Sequence, residues 1–285
     1  TLPGFRYSQF ASLSGGDLRF VNSNETQGLN FEIEQWDPVI VNPSPTNVSG
    51  LALWLKADAG LTTNSGGFVS GWADQSGNGR NAVQTGLNYQ PVYISSVLNG
   101  KPVLRFDGMK DGTGDYLDVP QLVVRTVFMV VNYDDVIFTN NYETAFGDQI
   151  YDIAVVRGRP SVGLLYSTLS GVFYINGLIP PLISGGYDFT PLASHKIVAT
   201  SLSIDRIMQP RIGKDRTDNG RTWKGDIAEI IVYDRILTTP EMNTIGVYLT
   251  QKYGLTTEYS QTAGKSYVWV QVPEFTSNSY VWAYW

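Results

Sequence analysis

The chain has 285 residues, of which 42% are hydrophobic and 13% aromatic, and its formal net charge is −6. This composition supports a sizeable buried core and excludes an intrinsically disordered chain. The sequence contains no cysteine, which excludes disulfides, cysteine nucleophiles and zinc bound by cysteine. Charged residues are sparse and form no basic run, so we expect no nucleic-acid partner.

An N-terminal arm, residues 1–41, contains two strand-like runs. DLRFV and LNFEIEQW alternate apolar and polar residues, which is the pattern of half-buried strands. They are followed by NPSPTNVSG (42–50), a stretch rich in proline, serine and asparagine that is typical of a junction between structural units.

Short apolar runs separated by turn-forming residues fill the middle of the chain. Their length, spacing and content of β-branched residues predict a β-sandwich rather than alternating strands and helices. The run at 126–134 is apolar at nearly every position and predicts a strand buried on both faces. The runs are GLALWLKAD (50–58), PVLRFDG (102–108), TVFMVVNYD (126–134), HKIVATSLSI (195–204) and GDIAEIIVYDR (225–235).

One segment after the last of these runs has the period of a helix. Thr238 or Thr239 is suited to the N-cap, Pro240 and Glu241 to the first turn, and Gly254 to the position that ends the helix. The sequence predicts one amphipathic helix over about 239–253, lying on a sheet. The apolar residues at helical spacing are Met242, Ile245, Tyr248, Leu249 and Tyr253.

The motifs of the middle block resemble those of a known family. They are LALWLKADAGL, VSGWADQSGNGRNA, LNGKPVLRFDG, DYLDVP, TVFMVV and GDIAEIIVYDRILTTPEMNTIGVYLTQKYGL. Their order resembles the concanavalin A-like, laminin-G-like domains of bacterial extracellular proteins and covers about 49–257. The resemblance implies a two-sheet jelly-roll sandwich, and it implies a binding or adhesive module whose common ligands are glycans.

The two ends of the chain resemble a second domain when they are read together. The arm and the tail AGKSYVWVQVPEFTSNSYVWAYW are similar to a small β domain of unknown function in bacterial surface proteins. Inserted domains enter at exposed turns, and their own termini lie close together. We therefore expect residues 1–41 and 260–285 to form one discontinuous β domain, with the laminin-G-like sandwich of 49–257 inserted in it.

Three functions follow as hypotheses. The first is a non-catalytic extracellular module that recognises a glycan or cell-surface polymer and is not an enzyme. The second is a structural subunit of a surface filament or array, in which copies of the chain complete one another's sheets by strand exchange. The third is a glycosidase, which needs two carboxylates about 5–10 Å apart.

The sequence offers the glycosidase no catalytic pair. Glu32 and Glu34 share a strand face but fall in the arm rather than in the sandwich. Asp226 and Glu229 are three residues apart and fall on opposite faces of their strand. We therefore expect no catalytic residue.

Candidate ligand contacts are aromatic residues with polar or glycine-rich neighbours. Trp72, Tyr142 and Trp223 are the rings that we expect to stack on a sugar, although sandwiches bury most of their large rings between the sheets. Asn24 in NET and Asn47 in NVS match the N-glycosylation acceptor pattern in loop-like stretches.

A calcium site is a further hypothesis for the loop ADQSGNGRNA (73–82). Asp74, Ser76 and Asn78 offer oxygen atoms at every second position, and Ca²⁺ takes six to eight oxygen ligands. The same residue types build tight turns through bonds between their side chains and the backbone. The sequence leaves both interpretations open.

The cellular location is inferred from the lack of a signal-peptide pattern at the N-terminus and from the family resemblance. TLPGFRYSQF is not a signal peptide, and no apolar stretch reaches the roughly 18 residues that a membrane helix needs. We expect an extracellular or cell-surface protein, from which a signal has been removed or of which this chain is a segment.

Overall fold

A computed structural model describes residues 18–22, 24–35, 42–108, 113–138, 142–216, 221–260, 267–272 and 281–284. The chain divides into two compact units. The terminal unit is formed by Thr1–Pro43 together with Gln261–Trp285, and the sandwich unit is Ser44–Ser260.

The terminal unit pairs strands from the two ends of the chain. Its described strands are β1 (Arg19–Val21), β2 (Phe31–Gln35), β20 (Tyr267–Val270) and β21 (Trp282–Tyr284). β1 pairs antiparallel with β21, and β2 pairs antiparallel with β20. The tail strands that look unpaired in the sequence therefore find partners in the arm. The remaining parts of the predicted arm and tail lie outside the described residues.

The sandwich unit contains two antiparallel sheets and one helix. In chain order its strands are β3 (Leu51–Lys56), β4 (Leu61–Thr63), β5 (Val69–Trp72), β6 (Ala82–Val83), β7 (Val92–Leu98), β8 (Lys101–Asp107), β9 (Leu117–Asp118), β10 (Leu122–Val131), β11 (Thr144–Asp148), β12 (Ala154–Gly158), β13 (Leu164–Tyr166), β14 (Gly171–Ile175), β15 (Leu182–Ile183), β16 (Gly186–Asp188), β17 (Lys196–Met208), β18 (Pro210–Ile212) and β19 (Lys224–Tyr233). The helix α1 is Thr239–Tyr253, and short 3₁₀ turns cover Pro45–Asn47 and Leu87–Tyr89.

The seven-stranded sheet is built around β10 and β19. Its order is β14-β17-β10-β19-β8-β7, and β3 also pairs with β19. β19 is long enough to hold β8 along its first half and β3 along its second. The second sheet has ten strands in the order β15-β16-β13-β12-β11-β18-β9-β6-β5-β4.

Strand β10 is buried on both of its faces. Val127, Met129 and Val131 belong to the core that the two sheets share. Phe128 and Val130 belong to a second core, which also contains apolar residues of α1. The order of layers is therefore ten-stranded sheet, seven-stranded sheet and helix, and the near-continuous apolar run at 126–134 serves two cores.

Helix α1 begins and ends where its sequence predicts. The Glu241 carboxylate accepts hydrogen bonds from the backbone N–H and hydroxyl of Thr238, at 2.8 and 2.9 Å. Arg235 donates to the same carboxylate at 2.6 and 3.0 Å, and these bonds lower the pKa of Glu241 to about 2. Gly254 ends the helix in the left-handed conformation with φ of 63°.

The buried carboxylate of Glu229 ties the helix to the seven-stranded sheet. It accepts hydrogen bonds from Trp54 Nε1 at 2.6 Å, from the hydroxyls of Tyr248 and Tyr253 at 2.8 and 2.7 Å, and from Lys252 Nζ at 2.8 Å. Burial raises the pKa of both tyrosines, and the negative charge of Glu229 adds to that shift. Four donors from β3 and α1 therefore converge on one strand residue of β19.

The fold prediction is confirmed. The protein is an all-β, two-sheet sandwich with one C-terminal helix, and Met242, Ile245, Leu249 and Tyr253 are buried on the sheet as the helical spacing predicts. No helix in the described part of the chain is long and apolar enough to cross a membrane.

Replacement of Glu229 by glutamine is expected to lower the free energy of unfolding by about 3 kcal/mol, since it removes the charge that compensates Lys252 and turns an amide N–H₂ toward hydroxyl donors. Urea unfolding followed by circular dichroism measures the change. Glu258→Gln is the matched control, because Glu258 is exposed and should change stability little. Equal stabilities of the two variants would show that Glu229 does not hold the helix.

Candidate functional site

Two of the three predicted sugar-stacking rings lie inside the protein. Trp72 and Trp223 are each 0% exposed and belong to the core between the sheets. The Trp223 indole N–H donates to the backbone carbonyl of Asn132 at 3.0 Å, which satisfies its polar atom without solvent. Neither ring can meet a ligand from solution, so their assignment as ligand contacts is corrected here.

The third ring, Tyr142, is 41% exposed and stands beside a group of charged side chains. Its ring packs edge-on against that of Tyr166, with the centroids 5.8 Å apart. The guanidinium groups of Arg221 and Arg157 lie 5.4 and 5.9 Å from its centroid. We call this group the arginine–tyrosine cluster. Its members are Tyr142, Asp152, Arg157, Tyr166, Asp215, Arg216 and Arg221.

Strand register builds the floor of the cluster. Thr144 on β11 is paired with Arg157 on β12, and Arg157 is paired with Tyr166 on β13. Residues that are paired across antiparallel strands project on the same side of the sheet. The Arg157 guanidinium lies in this row, where Nε donates to the Thr144 hydroxyl at 3.0 Å. Val156, the preceding residue, belongs to the core between the sheets.

Arg157 is fixed by two carboxylates. Its side chain is almost fully buried and forms an ion pair with the fully buried Asp215. Its terminal nitrogens also donate to Asp152 Oδ1 at 3.1 and 3.2 Å. A buried guanidinium with two acidic partners keeps its position, because any movement would leave a buried charge unpaired.

Three arginines converge on Asp152. Besides Arg157, Arg221 Nη1 lies 2.8 Å from Asp152 Oδ1 and Arg216 Nη2 lies 3.1 Å from Oδ2. The Asp152 side chain is 47% exposed, so the point where the three guanidinium groups meet is open to solvent. Arg221 also lies 3.2 Å from Asp215, which links the exposed and the buried carboxylate.

The two carboxylates have pKa values displaced in opposite directions. Burial raises the pKa of Asp215 above its ordinary value, although Arg157 and Arg221 act against that shift. Partial burial also acts to raise the pKa of Asp152, but the hydrogen bond and charges of Arg157, with Arg221 and Arg216, outweigh it and hold the pKa below its ordinary range. Burial raises the pKa of Tyr166. Asp152 is therefore ionised at neutral pH.

A turn held by another aspartate presents Asp152 to the arginines. Asp148 Oδ1 accepts the backbone N–H groups of Ile150 and Tyr151, both at 2.8 Å, and Oδ2 accepts that of Gln209 at 3.0 Å. The backbone N–H of Arg216 donates to the Asp148 carbonyl at 2.6 Å. These bonds fix the path of the chain on both sides of the cluster.

Sequence reasoning found Tyr142 and missed the charged members of the cluster. Arg157 lies 58 positions before Asp215, whereas Arg221 lies six positions after it, and no short motif joins the two segments. The one local signal is the run IAVVRG (153–158), where an arginine follows four apolar residues. A charge at such a position requires a buried partner.

The loop at 73–82 is accounted for by turn hydrogen bonds. Asp74 Oδ1 accepts from the backbone N–H groups of Trp54 and Ser76, at 3.0 and 2.9 Å. Asp74 Oδ2 accepts from the Ser76 hydroxyl at 2.8 Å and the Arg80 N–H at 3.0 Å. Asn78 turns its amide N–H₂ toward the carbonyl of Leu51 at 2.9 Å. The geometry favours the turn interpretation over the calcium interpretation.

The other sequence candidates are placed as follows. Asn24 is exposed in a turn, where its Oδ1 accepts from the Thr26 hydroxyl at 2.6 Å. Asn47 Oδ1 accepts the Ser44 N–H at 2.6 Å at the 3₁₀ turn. Glycosylation of these residues stays a prediction. Among the described residues, no three histidine, aspartate or glutamate side chains gather where they could hold a metal ion.

The carboxylates considered for a glycosidase pair have other partners. Glu229 binds the four donors described above, and Asp226 accepts two bonds from Arg105 at 2.7 and 2.9 Å. The side chain of Glu34 lies outside the described residues, and Glu32 is exposed on β2 of the terminal unit. The carboxylates of Asp226 and Glu229 are therefore each engaged with other residues.

No family model matches the chain, and no curated protein matches it. Ten chains of solved structures do. A Trypanosoma rangeli sialidase in complex with a difluoro-KDN compound has 14% identity and a TM-score of 0.43, and the match covers 76% of this chain and 36% of that chain. The same sialidase with the inhibitor DANA has 14% identity and a TM-score of 0.42, with 77% and 36% covered. This chain therefore spans about a third of the sialidase chains.

These matches correct the functional prediction. A non-catalytic adhesion module that is not an enzyme was expected, and the structures found are of sialidases, which are enzymes. The non-catalytic prediction is withdrawn together with its filament alternative. At 14% identity and TM-scores of 0.43 and 0.42, the likeness does not confirm the laminin-G-like family and does not carry the sialidase activity to this chain.

The protein is expected to have the same melting temperature in calcium as in an equal concentration of magnesium, because both carboxylate oxygens of Asp74 already accept hydrogen bonds. Asp74→Ala is expected to lower stability by about 2 kcal/mol through the loss of those bonds. Differential scanning calorimetry measures both effects, with Asp205→Ala, at a side chain 72% exposed, as the control. A rise in melting temperature that calcium causes in the wild type and not in Asp74→Ala would contradict the turn interpretation.

Proposed function

We propose that the sandwich unit binds a glycan at the arginine–tyrosine cluster. The observation that carries the proposal is the meeting of three guanidinium groups beside the exposed ring of Tyr142, at a point open to solvent. A sugar presents an apolar C–H face and a rim of hydroxyl groups, so its binding site needs a ring and fixed hydrogen-bond partners in one place.

The cluster provides both kinds of contact. Tyr142 is held edge-on by Tyr166, which leaves part of its ring exposed. Arg216, with 34% of its side chain exposed, offers guanidinium N–H donors. Arginine donors in a planar fork pair well with vicinal oxygen atoms.

The site is also preorganised. Asp215 is fully buried and holds Arg157 and Arg221 in place through ion pairs. Binding groups that are fixed before the ligand arrives lose little entropy on binding, so a small contact area gives useful affinity. A glycan ligand fits the extracellular or cell-surface location that the sequence predicts, and we propose that location together with the insertion of the sandwich unit in the terminal unit.

Sugar release is to be measured in the same experiment, because the cluster contains two carboxylates. Glycoside hydrolysis uses two carboxylates whose environments displace their pKa values in opposite directions. Asp152 and Asp215 differ in this sense. Asp215 is fully buried, so a reaction that used it would need the site to open.

Wild-type protein is expected to bind a subset of glycans on an array of neutral and acidic oligosaccharides, and Tyr142→Ala is expected to weaken that binding by about tenfold, since it removes the stacking surface. Tyr93→Ala is the matched control. Tyr93 is 36% exposed. It lines a shallow cleft with Asp58 and Gly60, and none of the residues of that cleft belongs to the cluster.

The bound glycans are then incubated with the protein and the products separated by chromatography, with 3′-sialyllactose included as a substrate. Released sugar would extend the proposal to catalysis. Absence of binding to any glycan would overturn the proposal, and equal losses in Tyr142→Ala and Tyr93→Ala would place the binding site elsewhere.

A further inference from the structure

We infer that the ligand of the arginine–tyrosine cluster carries a carboxylate, and that this carboxylate takes the place now held by Asp152. The inference rests on the proposed glycan-binding function and names the chemical class of its ligand, a sugar acid. The place itself is defined by Arg157, Arg216 and Arg221.

The present geometry shows that the three guanidinium groups fit a carboxylate. The distances from their nitrogens to the Asp152 oxygens are 3.1, 3.1 and 2.8 Å, which are those of charge-assisted hydrogen bonds. One arginine would suffice to neutralise one aspartate. A third arginine on the same half-exposed carboxylate makes the cluster a receptor for that group rather than a simple ion pair.

Asp152 can leave without loss of the surrounding fold. Its turn is held by the backbone N–H groups of Ile150 and Tyr151, which donate to Asp148. The buried Arg157 keeps Asp215 as a partner, and so does Arg221. Displacement of one exposed carboxylate by another therefore exchanges equivalent hydrogen bonds, and the energetic cost is small.

An unsatisfied donor in the cluster favours a further anion. The buried Nε atom of Arg216 has no hydrogen-bond partner among the described residues. An anion that enters beside Arg216 would accept a hydrogen bond from this nitrogen.

The neighbouring ring selects a sugar acid over a free inorganic anion. Tyr142 lies 5.4 Å from the Arg221 guanidinium, measured from the ring centroid. A sugar whose carboxylate binds the arginines has its ring within reach of this aromatic surface. A free anion would gain only the charged contacts.

The test compares D-glucuronate with D-glucose, which differ by one carboxylate, in titrations of wild-type protein followed by NMR. Wild type is expected to bind glucuronate and not glucose at equal concentration. Asp152→Ala is expected to bind glucuronate about tenfold more tightly than wild type, because it removes the competing internal carboxylate. Asp152→Asn keeps the shape of the side chain and is expected to change affinity in the same direction. Asp205→Ala, which breaks an exposed pair with Arg125, is the control and should bind as wild type does.

A second readout separates this inference from the proposed function. Sodium acetate, compared with sodium chloride at the same ionic strength, is expected to raise the melting temperature of Asp152→Ala and not that of Asp205→Ala. Preference of wild type for glucose, or unchanged or weaker glucuronate binding in both Asp152 variants, would overturn the carboxylate inference and leave glycan binding standing. Failure to bind any sugar would overturn the proposed function. Stabilisation of Asp152→Ala by acetate would then still support a carboxylate-binding position between the three arginines.

Discussion

The sandwich unit depends on a pair of central strands that must be covered on both faces. β10 and β19 lie side by side in the seven-stranded sheet, and nearly every residue of both strands is buried. Water can be excluded from both faces only if the ten-stranded sheet lies on one side and helix α1 on the other. Two carboxylates are buried on β19: Glu229 is compensated by four donors from β3 and α1, and Asp226 is compensated by Arg105.

The ten-stranded sheet has to be apolar only on the surface that faces the central strands, so its other surface can contain polar groups. Its inner surface completes the shared core with residues such as Phe146 and Val156. The row formed by Thr144, Arg157 and Tyr166 projects away from that core, so charges can gather there without disturbing the central strands. The buried ion pair of Arg157 with Asp215 gives this surface a fixed base, and the exposed members of the cluster stand on it.

The parts of the structure that depend on local patterns could be predicted from the sequence. The apolar run of β10 and the helical spacing of α1 are properties of consecutive residues, and both elements lie where their patterns place them. Trp72 and Trp223 were misjudged because glycine and polar neighbours suggest exposure, whereas the rings of Trp72, at the end of β5, and of Trp223, directly before β19, lie in the core. The cluster could not be predicted, because the contact of Arg157 with Asp215 joins residues 58 positions apart. The position of Arg157 also depends on the pairing of β11 with β12, whose register is irregular.

The arginine–tyrosine cluster is the proposed binding site for a sugar acid. A crystal structure of the wild-type protein with D-glucuronate tests this most directly. We expect density for the sugar against Tyr142, with its carboxylate within hydrogen-bonding distance of Arg216 and Arg221 and with Asp152 turned aside. A structure in which the sugar lies elsewhere, or in which Asp152 keeps all three arginines while the sugar is bound, would contradict it.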